Sequence, residues 1–525
     1  VIDLLIAGGT VLDGTGAAPR RADVAVTGRH VAAIGDLAGR PAARTIDATG
    51  QVVTPGFVDV HTHSDLTLLS GPQAHSAVRQ GVTTVVVGNC GLGVTPVAAD
   101  RAALRAAAGY LDADPAVRWD WSDLPGYLAA LEAARPSVNV AALVAHIPLR
   151  AAAVGFGDRP AGAAELDRMR GLLGDALAAG AAGVSTGLVY APVCYAREDE
   201  LEALGRTAAA HGRLFAWHVR DYADGLLDSV RQALRVATAT GCRTQISHLA
   251  AVGKRNHGSV ARALELIDDA RAAGADVAFD VYPYLAGNAP LAQLLPAWAQ
   301  EGGEEPMRAR LALRDVRARV TAGWRDMPNS WDVITVSRVP DGSEDVTGRT
   351  VADLATTAGT DPSRVALDLL AAHGNGVQIV AGGRSERDLL DALTHPAAVI
   401  GSDGQALDPH GPTGRGVPHP RSYGCYPRLF AEYVRRPGGL DLAEAVRKCT
   451  SAPAERAGLA GRGVLRPGAV ADIAVFDPAR IADRATFAAP QQYPDGIRAV
   501  LVGGRPVVED GVHGGARPGE ILRTP

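Results

Sequence analysis

Residues 56–65 read GFVDVHTHSD, and the way this stretch ends decides the fold. Gly56 to Val60 is an apolar run of the kind that fills a buried strand, yet it runs straight into His61 and His63. The two imidazoles point the same way if the strand period of two persists to the end of the run. Like-facing imidazoles at the mouth of a buried strand suggest part of a metal site, and a metal needs further ligands from elsewhere in the chain.

Seven more apolar runs follow, most of them trailed by an amphipathic helical stretch: GVTTVVVG, SVNVAALVA, AAGVSTG, RLFAWHV, RTQISH, ADVAFDVYP and AAVIGSD. Repeated βα units predict the α/β class and a closed (β/α)8 TIM-like barrel, in which the reacting groups sit where strands end. A further run, GVQIVAGG at 376–383, competes for a place in that barrel. Residues 1–55 and 462–525 instead alternate short β-like runs with Gly and Asp turns. The two chain ends are therefore expected to share one small β-sandwich domain, with the barrel at 56–461 inserted between them. The segment at about 286–359 is too long for one βα connection and carries its own patterns, PMRARLALRDVRARV and WDVITVS. It is expected to form a lid-like insertion.

Composition narrows the function. The 525 residues carry a formal charge of −5 with both signs interspersed, which gives no footprint for nucleic acid or anionic lipid and leaves a small molecule as the expected partner. Five cysteines (Cys90, Cys194, Cys242, Cys425, Cys449) are odd in number and widely scattered, the usage of a reducing compartment rather than of a disulfide framework. The opening VIDLLIAGGTVLDG reads as strand and turn rather than signal peptide, and no apolar run approaches the roughly 20 residues that span a bilayer. A soluble, cytoplasmic protein is expected.

The residues at the ends of the barrel runs are the ones with chemistry: His61, His63, Cys90, His146, His218, His248 and Asp403. A thiol and several imidazoles are soft and borderline ligands suited to a transition metal, most often zinc, while a carboxylate beside them can hold a second ion or move protons. Their separations are too long for a zinc finger, so the fold must assemble the site. An isolated His or Cys at a strand end is usually a satisfied core residue, and GSDG alone is a turn. The coincidence across many strand ends singles this set out, with His146 balanced between a supporting and a structural role. His75, His211, His373, His395, His410 and His513 fall in helical or loop stretches and read as structural.

These motifs resemble the amidohydrolase superfamily and, within it, the N-acyl-D-amino-acid deacylases (D-aminoacylases). The resemblance is carried by PGFVDVHTHSD, GNCGLGVTP, GVSTGLVYAP, WHVRD, ISHLAAVGKRNHG, DVYPYLAG, VIGSDGQALDPHGP and HPRSYGCYPR. It implies that Cys90, His218 and His248 hold a tightly bound zinc, that His61, His63 and Asp403 form a weaker neighbouring position, and that Asp403 is the general base. Relatives with a carboxylated lysine bridging two metals differ, since the fourth run here ends in GVSTG and offers none. One departure concerns the substrate. Where the resembled deacylases carry a lysine that anchors the substrate carboxylate, this chain has Ala250. Tyr190 and Tyr282 match other substrate-holding positions, Asn288 replaces a small hydroxyl residue, and Arg421, Lys254 or Arg255 are left to compensate, with His146 nearby in the strand-end set. A lost charge-assisted contact is worth about 1.5–3 kcal/mol. The implied activity is zinc-dependent hydrolysis of a linear amide, deacylation of an N-acyl-D-amino acid or related N-acyl amine. The alternatives are an L,D-dipeptidase, a cyclic-amide hydrolase, and a non-catalytic metal-containing binding protein.

Overall fold

The eight apolar runs form eight parallel strands, Phe57–Asp59, Val82–Val87, Asn139–Ala145, Gly183–Gly187, Leu214–His218, Arg243–Ile246, Val277–Val281 and Ala398–Ile400. Nearly every residue in them is buried, as expected of parallel strands covered by helices on one face and a barrel core on the other. The computed structural model describes residues 2–524 other than 112, 113, 115, 341, 342 and 344. The first and eighth strands meet just beyond their ends: Asp403 N–H donates to His61 O at 2.8 Å and His63 N–H to Gly404 O at 2.8 Å. Closure thus falls at the same end of the barrel as the histidines.

The helix Leu226–Thr240 shows how the outer layer is made. Leu226, Val230, Ala233, Leu234 and Ala237 recur at helical spacing and are buried against the strands. The helix stops at Gly241, whose φ of 68° is left-handed and whose N–H reaches back to Ala237 O.

The two chain ends build one nine-stranded sheet, in which Val52–Pro55 pairs antiparallel with Ile473–Phe476. A bridge between His30 and Val470 brings the far edge back, so the sheet folds over on itself around Leu4, Ile6, Val24, Val26, Ile473 and Leu501.

The run at 376–383 lies outside the barrel. Gln378–Ala381 is the middle strand of a separate antiparallel sheet with Gly287–Pro290 and Ile334–Arg338. This sheet has its own core, including Leu311, Trp324, Ile334, Leu367 and Ile379. The inserted unit therefore continues to Ala381, past the expected end near residue 359. A four-residue apolar strand looks alike in a barrel and in a small sheet, and only its partners decide between them. Among the described residues, no helix is long and apolar enough to cross a membrane.

Candidate metal centre and substrate cleft

Three of the candidate ligands sit on left-handed backbone, Cys90 at φ 55°, His248 at 37° and Asp403 at 52°. Non-glycine residues seldom adopt this region, and it gathers at functional sites where the fold over-determines it. Each lies just past a strand, so the sharp turn aims its side chain over the barrel mouth. Gly187, closing the fourth strand, makes room for one of them: a Cβ there would lie 1.9 Å from the Cys90 carbonyl oxygen.

One ligand atom from each of His61, Cys90, His248 and Asp403 lies within 4.8 Å of the others, and all four residues are buried. His61 Nε2 is 3.2 Å from Cys90 Sγ and 3.4 Å from Asp403 Oδ1. Cys90 Sγ is 3.4 Å from His248 Nε2. His63 Nε2 is 3.0 Å from Asp403 Oδ1. His218 stands beside this group, its ring centroid 4.7 Å from that of His248. The Nδ1 atoms of His63 and His218 are buried with no hydrogen-bond partner among the described residues.

Desolvation sets the charge states. Burial pushes His218 down to about 3 and His248 well below the usual imidazole range, so both present neutral nitrogens, the form that binds metal. Burial lowers His63 too. For His61 burial acts the same way, but Asp280, Cys90 and Asp403 outweigh it and raise the ring well above its ordinary value. Burial pushes the Cys90 thiol up to about 11. Burial also opposes ionisation of Asp403, yet Arg421, with Nη1 2.7 Å from Oδ2, and the surrounding histidines hold its carboxyl well below the usual range. Sulfur, imidazole nitrogen and carboxylate oxygen converging in a desolvated pocket, with orphaned ring nitrogens beside them, fit a zinc centre.

Two carboxylates absent from the sequence reading organise this group. Asp280 Oδ1 lies 3.0 Å from His61 Nδ1 and accepts the His248 N–H at 2.8 Å. It thereby turns His61 Nε2 toward Cys90, as an outer carboxylate commonly orients a ligand imidazole. Asp59 accepts the Ser402 N–H at 2.8 Å and so fixes the loop that carries Asp403. Both had a signal in the sequence: each is a charge inside an otherwise apolar strand, which is costly unless paired. Tyr110, which takes a bond from Arg421 at 3.2 Å, had none.

A cleft of about 390 Å³ opens over the group. His63, Cys90, His218, His248 and Asp403 form its floor, and Tyr190, Tyr282 and Asn288 stand on its walls. The insertion supplies Leu294, Met327 and Ile334, so it does cover the strand ends. The Asn288 amide is already engaged, donating to Ile379 O at 2.8 Å and accepting from the Tyr110 hydroxyl at 2.9 Å. Arg421 is 1% exposed and sits behind Asp403 rather than on the wall.

His146 is a correction. It is fully buried, with Nδ1 2.9 Å from Thr186 Oγ1 and Nε2 2.8 Å from Glu200 Oε1, so neither nitrogen is left for a substrate. Glu200 also takes Arg150 at 2.6 Å. Burial pushes the Glu200 carboxyl up, but the bond from His146 and the charge of Arg150 outweigh it and leave it below its ordinary value. Its stabilisation is therefore present at neutral pH and lost as acidification protonates it. Glu200→Ala strands a buried arginine and is expected to cost about 3–5 kcal/mol of stability. Chemical denaturation at neutral pH reads that loss, with zinc content expected to stay at the wild-type level.

Comparison with known proteins extends the picture. The Amidohydrolase family model matches residues 44–508. N-acyl-D-glutamate deacylase of Alcaligenes xylosoxydans xylosoxydans is 39% identical over 99% of this chain and 96% of its own length. D-aminoacylase of the same organism is 36% identical over 99% and 97%. The crystal structure of N-acyl-D-glutamate deacylase from Bordetella bronchiseptica, complexed with zinc and a phosphonate mimic of the tetrahedral intermediate, is similar with a TM-score of 0.85 and 37% identity, covering 99% of each chain.

Proposed function

This chain belongs to the amidohydrolase family, and from that premise we propose that it is a zinc-dependent hydrolase that removes the acyl group from an N-acyl-D-amino acid. The observation that carries the reading is the convergence of His61, Cys90, His248 and Asp403 within 4.8 Å at the barrel mouth. Cys90, His218 and His248 would hold a tight zinc, with His61, His63 and Asp403 offering a second, weaker position. When bound, zinc polarises the amide carbonyl and makes water a stronger acid near neutral pH.

The protein supplies the rest. Asp403, kept ionised by Arg421, is a base ready at the start of the cycle. It takes a proton from the attacking water and delivers it to the amide nitrogen, which leaves poorly unless protonated. Tyr190 and Tyr282 position the substrate from the cleft walls. The close approach of Gly187 to Cys90 favours a thiolate centre over the lysine-bridged arrangement of cyclic-amide hydrolases. Five free cysteines support a cytoplasmic location as part of this reading.

The test is a substrate panel: N-acetyl-D- and N-acetyl-L-amino acids, L,D-dipeptides and simple N-acyl amines, offered to zinc-loaded protein. Hydrolysis is expected for the N-acetyl-D-amino acids, with their enantiomers much slower. Failure on every N-acetyl-D-amino acid overturns the proposal.

A further inference from the structure

The position of the missing lysine has a neighbour. Ala250 lines a tight crevice of about 10 Å³ next to the cleft, and Arg384 lines both that crevice and the cleft, together with His248 and Tyr282. Arg384 follows the last strand of the insertion, Gln378–Ala381, through Gly382 and Gly383. Gly383, at φ 94° and packed so that a Cβ would meet Asn329 Oδ1 at 2.4 Å, lets the chain turn inward there. A second glycine receives the guanidinium: a Cβ on Gly287 would lie 2.6 Å from Arg384 Nη2. The guanidinium carbon stands 5.0 Å from the centroid of the Tyr282 ring.

The other cations of the cleft are committed. Among the described residues on its wall, Arg255 is held by both Asp224 oxygens at 2.7 and 2.5 Å. Arg220 donates to Gln232 at 3.0 Å and to Cys194 O at 2.9 Å, and also to Ala196 O. Arg421, behind the wall, is paired with Asp403. Arg384 has no carboxylate within ion-pair distance among the described residues, although it is only partly exposed. A half-buried guanidinium that lines the cleft without a carboxylate partner of its own is suited to a planar carboxylate.

We infer that Arg384 replaces the missing lysine as the anchor of the substrate carboxylate, and that the cleft selects N-acyl-D-amino acids with neutral, apolar side chains. The inference rests on the deacylase reading above. The second half follows from the charges: among the described arginines lining the cleft, Arg255 is paired with Asp224 and Arg220 is held by Gln232 and two backbone carbonyls, so Arg384 is the cation used by the carboxylate every substrate carries. Beyond it the wall presents Asp221, Asp224 and Asp326 with Val252, Leu294 and Met327. Among the described residues Asp221 takes backbone N–H groups, from Ala223 at 2.6 Å and Gly225 at 2.9 Å, and no cation pairs with it, so it repels a second carboxylate.

The experiment compares kcat/KM for an N-acetyl-D-amino acid with that for its carboxamide, and N-acetyl-D-leucine with N-acetyl-D-glutamate. In Arg384→Met the acid-to-carboxamide ratio is expected to fall about ten- to hundredfold, through KM, as expected for loss of one charged hydrogen-bonded contact. Arg384→Lys should retain most of the ratio, and Ala250→Lys added to Arg384→Met should restore it from the other side of the crevice. Restoration separates anchoring from a fold defect, because a merely structural loss would not be rescued by a cation at residue 250. Wild type should prefer the leucine substrate. A wild type that hydrolyses N-acetyl-D-amino acids while Arg384→Met keeps the wild-type ratio overturns the anchor and leaves the deacylase reading standing. Preference for the glutamate substrate overturns the side-chain half. A wild type inactive on every N-acetyl-D-amino acid overturns both, and shows it before any variant is made.

Discussion

Asp403→Asn is expected to lower kcat/KM by about a hundred- to ten-thousandfold, the range that a positioned general base contributes. Asparagine keeps the shape of the side chain and its hydrogen-bonding reach toward His63, but it cannot take a proton from water. The substitution has a second effect that must be told apart from the first. Arg421 is 1% exposed and pairs with Asp403, so removing the anion leaves a buried cation without a counter-charge, at a cost of about 3–5 kcal/mol. A loss of that size could lower activity simply by unfolding part of the sample. Asp403→Asn/Arg421→Met removes the stranded charge and is expected to regain much of the stability without regaining turnover. Zinc should persist in both variants, since Cys90, His218 and His248 are untouched. Retention of activity within about tenfold of wild type in a folded, zinc-loaded Asp403→Asn would remove Asp403 from the role of base.

Much of this site could be read from sequence because a parallel barrel writes its strands as short apolar runs and places chemistry just after them. All eight runs became barrel strands, and His61, Cys90, His248 and Asp403 meet although the chain separates them by as many as 342 positions from His61 to Asp403. The same rule misplaced His146, which also ends a strand but spends both nitrogens on Thr186 and Glu200. Strand position says where a side chain begins, and the partners it finds are a property of the neighbouring strand and helix. Arg384 escaped for the opposite reason: it follows a run, Gln378–Ala381, that belongs to the insertion, and its relation to Ala250 exists only because that sheet folds down over the barrel. Asp280 illustrates a third case. It sits within VAFDV, where one carboxylate among apolar residues already asks for a partner, but barrel closure alone identifies that partner as His61.

Cys90→Ala is expected to lose most of the zinc that survives dialysis, about one ion per chain in wild type if the thiolate is a ligand of the tight position. Protonation of the ligands decides the outcome. Burial raises the free thiol to about 11, so without metal the sulfur carries its proton at neutral pH, and zinc must displace it. His61, raised well above its ordinary value, must likewise shed a proton before its Nε2 can serve as a ligand. Zinc uptake by wild type should therefore release protons and tighten as pH rises, while Cys90→Ala should release about one proton fewer for each ion it still takes. Cys90→Ser controls for packing, because a hydroxyl nearly fills the space of the thiol and does not ionise in this range. If Ser and Ala behave alike, the loss is one of coordination chemistry and not of a cavity. The zinc-dependent rise in thermal stability, which grows with free metal over its dissociation constant, should shrink in both variants. Wild-type zinc content in Cys90→Ala and Cys90→Ser after the same dialysis would mean that the sulfur only fills the pocket, and the histidines would have to hold the ion without it.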